Sequence, residues 1–483
     1  MSAGLIIGIL TVILYLGVAT VIVLNHQESG SKLFWLFFFL VVPVVGFVVY
    51  FFAGYSYRSS SIRKKLHAGV EEAFEEGLTP EQKDKFFTDK YLASVPERLQ
   101  PLATLLHSVG EGNKVYVDNS FEIITSGLRK RELLIEDIRR ARHFIHIEYF
   151  RFGNDKAGRE IRDLLIQKVK EGVEVRFLNN NMIGRFIPRS YFRNMARQGI
   201  EVLPFTHIRQ GFLKWIMRIN HQNHRKIVVI DGEIAYTGGM NLNDNYFYNW
   251  RDTHLRITGP AVARLQAAFI DNWKGAGGRL SHPLSYYFPA QTLPPEGPFQ
   301  NKMMQVVTDS PENPWPAMQM AFEWTLHNAT DYLYIQTPYF IPPESLLQAL
   351  KAAALRGVDV RLMVPKKVDT PLAGPANRAF FEECLEAGVR IFEKGGEFIH
   401  SKTLVADDGL SVIGASNWDI RSFSINYEVN TLIYDKETAL RCKEIFLKDA
   451  AEARELHYKD WTESRTWYQE AGSQFIRLFY WIL

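Results

Sequence analysis

Apolar residues fall into three textures along the chain. The first is unbroken apolarity. Residues 4–24, GLIIGILTVILYLGVATVIVL, and 33–52, LFWLFFFLVVPVVGFVVYFF, hold no charged side chain. Each run is long enough, as a helix, to cross a hydrocarbon core of about 30 Å. Only NHQESGSK separates them, so the pair predicts a tight transmembrane hairpin. Pro43 and Gly46 are tolerable in lipid, where neighbouring groups satisfy a kinked backbone. No Lys or Arg precedes the first run, which argues against a cleaved signal. Arg58, Arg63, Lys64 and Lys65 follow the second run, against Lys32 in the turn. The positive-inside rule therefore places the rest of the chain in the cytoplasm, with the N-terminus on the same side.

The second texture, residues 58–111, mixes charge and apolarity, as in GVEEAFEEGLTPEQKDKF, and predicts a mostly helical amphipathic connector. From about residue 112 the period switches repeatedly between 2 and 3.6. KVYVD reads as a strand, LRKRELLIEDIRRAR as a helix and HFIHIEYF as a strand. GREIRDLLIQKVKEG is a helix, VEVRFL a strand, YFRNMARQG a helix and IEVLPF a strand. This alternation predicts an α/β fold with a largely buried sheet.

The order then repeats. TDYLYIQTPYFIPPE matches RHFIHIEYFRFGND, ALKAAALRGVDVRLMV matches LLIQKVKEGVEVRFLN, and FFEECLEAGVRIF matches YFRNMARQGIEVL. The helix-closing glycines Gly172 and Gly199 recur as Gly357 and Gly388. Between the copies, residues 282–298 carry five prolines and read as a linker or wrapping loop. The expected division is a transmembrane hairpin at 1–57, the connector at 58–111, a first lobe at 112–281, a linker at 282–300 and a second lobe at 301–483 with an apolar tail.

Candidate chemistry sits in the repeat. NHRKIVVIDGEIAYTGGMN and HSKTLVADDGLSVIGASN both read H-x-K-x4-D-x6-G-x-x-N. His224, Lys226, Asp231, Gly238, Asn241 and Asp252 correspond to His400, Lys402, Asp407, Gly414, Asn417 and Glu428, and every pair is 176 positions apart. One H-x-K-x4-D is a weak signal, but two copies in register over six positions are not chance. Asp-Gly between β-branched runs predicts a hairpin in each copy. Residues i and i+2 share a strand face, so each His projects beside its Lys.

An ammonium beside an imidazole repels a divalent cation and attracts a phosphate. No carboxylate or Cys cluster accompanies His221 and His224, so no metal is expected. Two Lys and two Asn would hold phosphate oxygens and stabilise a phosphoryl-transfer transition state. One His would attack phosphorus, and the other would protonate the leaving oxygen and then deprotonate the acceptor. Asp252 and Glu428 would orient the imidazoles. Asp231 and Asp407 complete the motif and are grouped with the catalytic residues. Their place at hairpin turns, where Asp is favoured for backbone reasons, gives them a supporting role.

Composition narrows the partners. The 483 residues are 47% hydrophobic and carry a formal charge of +3, which lacks the basic excess typical of a nucleic-acid domain. Two cysteines, Cys384 and Cys442, make no disulfide framework and suit a reducing compartment. From Val202 through Ile230 there is no Asp or Glu, and RQGFLKWIMRINHQNHRK reads either as an interfacial helix drawn to anionic headgroups or as a basic-rimmed helix packed on the core. The aromatic QFIRLFYWIL either docks on a membrane or packs into the second lobe.

The duplicated motif resembles the hallmark of the phospholipase D superfamily. The two apolar runs, HIEYFRF, NHRKIVVIDGEIAYTGGMNLND, WRDTHLRITGPAV, QTPYFIPPE and NWDIRSFSINYEVN extend the resemblance, over almost the whole chain, to bacterial cardiolipin synthases. That resemblance implies two phospholipase D-like lobes, each a mixed sheet flanked by helices, packed as one pseudo-twofold catalytic domain. It implies transfer of a phosphatidyl group from one phosphatidylglycerol to another through a phosphatidyl-histidine, giving cardiolipin and glycerol, with no cofactor. His224 would be the nucleophile and His400 the acid/base, although the motif itself is symmetric. Lys226, Lys402, Asn241 and Asn417 would bind phosphate. Many relatives carry Ser or Thr after the motif glycine, where this chain has Gly239 and Ala415. Water, phosphatidylethanolamine or another alcohol remains open as acceptor, as does the oligomeric state. A phosphodiesterase acting on nucleic acid and an inactive membrane scaffold are the readings that the hairpin and the intact motifs disfavour.

Overall fold

The structure is a computed structural model that describes residues 3–25, 29–42, 45–46, 49–50, 54, 77–86, 88–110, 112–180, 187–205, 221–290, 293, 296–370 and 373–478. An uncharged helix, Ala3–Leu24, is followed by a second, Ser29–Val41. The second begins four residues earlier than the apolar run suggested, because Ser29, Gly30, Ser31 and Lys32 join its first turn. Trp35 and Phe39 pack against Val18 and Ile22 of the first helix. Lys32 Nζ reaches back 2.9 Å to the Val23 carbonyl, capping the first helix end. Among the described residues no helix is long and apolar enough to cross a membrane. Part of the run at 33–52, the connector from 58 to 76, and residues 206–220, where a basic helix is expected, lie outside the described residues.

The strands of the first half are β1 (Val115–Ile124), β2 (Phe144–Tyr149), β3 (Glu174–Asn179), β4 (Glu201–Pro204), β5 (Lys226–Ile230), β6 (Ile234–Gly238), β7 (Trp250–Arg251) and β8 (His254–Thr258). The second half contributes β9 (Phe299–Asp309), β10 (Tyr332–Gln336), β11 (Phe340–Ile341), β12 (Asp359–Pro365), β13 (Arg390–Lys394), β14 (Phe398–Ile399), β15 (Thr403–Ala406), β16 (Leu410–Gly414), β17 (Trp418–Asp419), β18 (Glu428–Tyr434) and β19 (Ala453–Leu456). Fifteen of them form one mixed sheet in the order β19-β13-β12-β10-β15-β16-β18-β9-β1-β8-β6-β5-β2-β3-β4. The order is symmetric about the antiparallel β1–β9 pair. Outward from that seam, β8, β6, β5, β2, β3 and β4 mirror β18, β16, β15, β10, β12 and β13.

Both faces of the sheet are covered. Helices Gly127–Arg140 and Lys156–Lys170 supply the apolar face that packs on β2, β3 and β5. The helix Val262–Gly275 lies over the seam in a core shared by both halves, with Phe121, Ile227 and Ile257 meeting Met304, Val405 and Val429. The described end of the connector is not a free linker. Leu102, Ala103 and Leu106 of the helix Gln100–Val109 are buried against Ala317, Met318 and Ala321 of the second half. The proline-rich segment wraps the first half: Tyr287 is buried, packs on Phe144 and His146, and its hydroxyl bonds Arg176.

Candidate active site

Each motif builds a hairpin. β5 and β6 pair through Ile230↔Ile234, and β15 and β16 through Ala406↔Leu410. The turns need two residues with positive φ: Asp231 at 53° and Gly232 at 68°, then Asp407 at 48° and Asp408 at 50°. The Asp231 carboxylate accepts from the amides of Arg142, His143 and Phe144, at 2.7, 2.8 and 2.9 Å. Asp407 does the same for Thr330, Asp331 and Tyr332 at 2.8, 2.8 and 2.9 Å, and also meets Arg98. Burial alone would raise the Asp407 carboxyl, but those amides and Arg98 hold it below its usual value. Five residues of strand separate these turns from Lys226, roughly 16 Å. Asp231 and Asp407 thus stand at the ends of these strands remote from the lysines, as the supporting role at the turns implies. Their oxygens are spent on the backbone that anchors β2 and β10 to the hairpins.

The histidines sit just before β5 and β15, where each half crosses into the other. The His224 amide donates to the Tyr427 carbonyl at 2.9 Å, and the His400 amide to the Arg251 carbonyl at 2.7 Å. β14 runs parallel to β7, and Asn223 bridges Tyr427 in the same sense. These crossings bring each imidazole to a carboxylate of the opposite half. His224 Nδ1 lies 3.0 and 3.1 Å from the two Glu428 oxygens. His400 Nδ1 lies 2.7 Å from Asp252 Oδ2. An Nδ1–H donated to a carboxylate leaves Nε2 with its lone pair free. The two Nε2 atoms differ. His400 Nε2 is 3.3 Å from the Tyr246 hydroxyl, whereas His224 Nε2 has no hydrogen-bond partner among the described residues and faces the Phe150 ring, with centroids 4.7 Å apart.

Lys226 Nζ donates to the His224 carbonyl at 2.6 Å, so Lys and His share a side as the spacing implied. Lys402 Nζ lies 2.6 Å from His400 Nδ1 and 3.1 Å from Nε2, and donates to the His400 carbonyl. Asn241 Oδ1 accepts from the Arg151 amide at 3.1 Å, and its Nδ2 is buried with no partner among the described residues. Asn417 Nδ2 donates to Asp419 at 3.1 Å.

Electrostatics follow from burial. Both imidazoles are held well below their ordinary value, first by desolvation and then by Lys226 and Lys402, so both are neutral. Burial lifts Glu428 to about 7 and Asp252 to about 6, against the pull of the two lysines. Desolvation pushes Lys402 down to about 8 and holds Lys226 well below its ordinary value. Two neighbouring lysines in a dry site make a strong anion trap. Among the described residues no His, Cys, Asp and Glu group could hold a metal ion.

Gly238 has φ 138°, and a Cβ on Gly239 would collide with the Asp252 carboxylate. A Ser or Thr at 239 would displace the group that orients His400, which explains the glycine there physically.

Several residues at the site escaped the sequence reading. Tyr246 reaches it from the short helical turn Asn245–Asn249, and Phe150 and Arg151 from the segment just past β2. Lys130 is fully buried, donating to the Met240 carbonyl at 2.8 Å and the Tyr149 hydroxyl at 3.1 Å beneath the Asn241 loop. A signal for Lys130 did exist: it falls on the same helical face as Leu133, Leu134 and Asp137.

The sheet order and the paired His–Lys centres define a phospholipase D-like enzyme. A family profile described as "Cardiolipin synthase, PLD-like domain" matches residues 134–273 and 324–450, and one described as "Phospholipase_D-nuclease N-terminal" matches 9–54. A cardiolipin synthase of Halalkalibacterium halodurans is 34% identical over 98% of this chain and 94% of its own. The major cardiolipin synthase ClsA of Bacillus subtilis is 34% identical over 97% of both. The chain belongs to the cardiolipin synthase family of phosphatidyltransferases. The crystal structure of a phosphatidylserine synthase from Haemophilus influenzae shares the fold, with a TM-score of 0.57 at 17% identity over 75% of this chain and 95% of that one.

Proposed function

We propose that the chain joins two phosphatidylglycerol molecules into cardiolipin and glycerol, with His224 as nucleophile and His400 as acid/base. The observation that carries this reading is the crossed pair of dyads, His224–Glu428 and His400–Asp252, in each of which the carboxylate meets Nδ1 rather than Nε2. The unpartnered Nε2 of His224 favours it as the attacking atom, and the Tyr246 hydroxyl beside His400 Nε2 suits a group that passes protons.

In the first step His224 Nε2 bonds to phosphorus of the donor lipid. The phosphorus–oxygen bond to glycerol breaks, and a proton from His400 goes to the departing oxygen. In the second step a glycerol hydroxyl of the other lipid attacks the same phosphorus. The phosphorus–nitrogen bond breaks, and the hydroxyl proton returns to His400. Lys226, Lys402, Asn241 and Asn417 hold the phosphate oxygens. An arriving phosphate offsets the lysine charges that keep the imidazoles neutral, which lets His400 carry the proton it must donate.

The apolar run at 4–24 and the one at 33–52 tether the enzyme to the cytoplasmic membrane as a hairpin, with the catalytic part, lobes 112–281 and 301–483 joined by 282–300, on the cytoplasmic side. The reaction needs no cofactor or metal. The test supplies headgroup-labelled and acyl-labelled phosphatidylglycerol to detergent-purified protein. Cardiolipin with an equal yield of free glycerol supports the reading, with both yields abolished in His224→Ala and His400→Ala. Phosphatidic acid as the sole lipid product would replace it with a hydrolase.

A further inference from the structure

Two phosphodiesters meet in one such turnover, and the lysines account for one. The phosphate under attack is held by Lys226 and Lys402. The acceptor lipid brings its own phosphodiester, three carbons from its attacking hydroxyl, and that anion also leaves water. Bringing it in beside an anionic phosphate without a cation of its own is costly.

Arg151 is the cation placed for it. It follows β2 directly, and its amide is fastened to Asn241 Oδ1, while its carbonyl accepts from the Leu242 amide at 3.2 Å. The backbone is thus tied at two points to the loop that carries a phosphate ligand. The guanidinium lies 5.9 Å from the centroid of Phe150, the ring that abuts His224. Its charge is felt by both His224 and His400. Nε is buried and has no hydrogen-bond partner, and Arg151 has no ion pair, in each case among the described residues. The other arginines beside the site are committed. Arg251 is paired with Asp449, and Arg225 donates to the carbonyls of Glu428 and Asp309.

The duplication adds a second observation. β2 and β10 are equivalent strands: the Asp231 amide donates to the Phe144 carbonyl as the Asp407 amide does to the Tyr332 carbonyl, and Arg151 and Tyr339 each lie seven residues beyond those anchors. The counterpart of Arg151 is Tyr339, whose hydroxyl is donated to Asp369. The chemistry is therefore two-sided where the motif is symmetric. One copy supplies a guanidinium whose Nε has no hydrogen-bond partner among the described residues, the other a phenol held by a carboxylate. A planar, permanently charged fork suits a phosphodiester, and a carboxylate repels one.

We propose that Arg151 binds the phosphodiester of the acceptor lipid, so that the enzyme prefers a phosphatidylglycerol hydroxyl over an uncharged alcohol. This rests on the transferase reading above and assigns its second substrate a binding residue.

The test is a partition measurement. Purified enzyme is given phosphatidylglycerol together with labelled free glycerol. Cardiolipin and labelled phosphatidylglycerol then arise from one phosphatidyl-enzyme, and their ratio depends only on the second step. Arg151→Gln is expected to lower that ratio about tenfold, and Arg151→Lys to lower it less. An unchanged ratio overturns the proposal, whatever happens to the total rate. A smaller folded fraction reduces both products together and leaves the ratio alone. If Arg151→Gln makes neither product, the ratio read on Arg151→Lys decides in the same way. A wild-type enzyme that makes only phosphatidic acid would instead overturn the transferase reading, and the second phosphate would go with it.

Discussion

His400 Nδ1 lies 2.7 Å from Asp252 Oδ2, and the two residues belong to opposite halves of the chain. The reciprocal pair, His224 and Glu428, is closed at 3.0 Å. Neither half holds a complete dyad, so one half has no oriented imidazole without the other. This makes the β1–β9 seam and the crossings at Tyr427 and Arg251 part of the catalytic apparatus. The first prediction concerns the carboxylates. Asp252→Asn and Glu428→Gln keep the shape but let the imidazole take the wrong tautomer. Each is expected to lower the rate by about a hundredfold or more while the folded structure persists. Initial rates alongside thermal melting curves check this. A variant that melts normally and retains a rate within a few fold of wild type would remove the orienting role.

The second prediction is the pH profile of kcat/KM. Burial lifts Asp252 to about 6 and Glu428 to about 7, so falling pH protonates the carboxylates and releases the imidazoles. Burial pushes Lys402 down to about 8, so rising pH strips a positive charge from the phosphate site. The signs oppose, and the profile is a narrow bell with limbs near 6–7 and near 8. Lys402→Arg keeps its charge at every accessible pH, so whatever activity it retains should lose the limb at 8 and keep only the titration of Lys226, which burial also pushes down. An alkaline limb that stays at 8 in that variant assigns the titration to another group.

The third prediction separates the motif aspartates from the chemistry. Asp231→Ala removes a carboxylate that three amides use, and it strains a backbone at φ 53°. It should cost about 2–4 kcal/mol of stability, on the scale of hydrogen bonds to a charged acceptor. Activity per folded molecule should change little. Denaturant unfolding and specific activity of the folded fraction measure the two terms separately. Loss of specific activity comparable to that of His224→Ala would return Asp231 to the catalytic set.

The sequence reading got far on period and repetition. The 2-to-3.6 alternation located β2, β3 and β4 to within about a residue, and the 176-residue offset singled out the histidines, lysines and asparagines. The Asp-Gly turn marked the first hairpin. The second uses Asp407–Asp408 with Gly409 one place later, and the repeat supplied it. What stayed hidden depended on tertiary register. No local pattern says that Asp252 serves His400 rather than His224, because that choice is made where β7 meets β14. Arg151 lies past the end of β2, and Tyr246 on the five-residue helical turn Asn245–Asn249, too short for a hydrophobic period to flag. Where the connector docks was not legible, because Leu102 and Leu106 have their partners on the helix Ala317–Asn328, more than two hundred residues onward.

The last prediction concerns Arg251, which stands between the two halves. Its guanidinium meets Asp449 at 2.8 and 3.3 Å, and both side chains are only about a tenth exposed. It also donates to the Asp252 carbonyl at 2.7 Å and to the Thr253 and Ser401 hydroxyls at 3.1 Å each. Meanwhile its own carbonyl receives the His400 amide. Arg251→Met strands a buried carboxylate and should cost about 3–5 kcal/mol. Adding Asp449→Leu removes the stranded charge, and most of that stability should return. Activity should not return with it, because the hydrogen bonds that align Asp252 and Ser401 with His400 are still missing. The double-mutant cycle therefore splits two roles that the single variant confounds: the ion pair holds the halves together, and the remaining donors set the dyad. Recovery of activity in step with stability would show that Arg251 acts through the ion pair alone. Stability recovered with turnover still low, and with the acidic limb of the pH profile displaced, would show that it also positions the His400–Asp252 dyad.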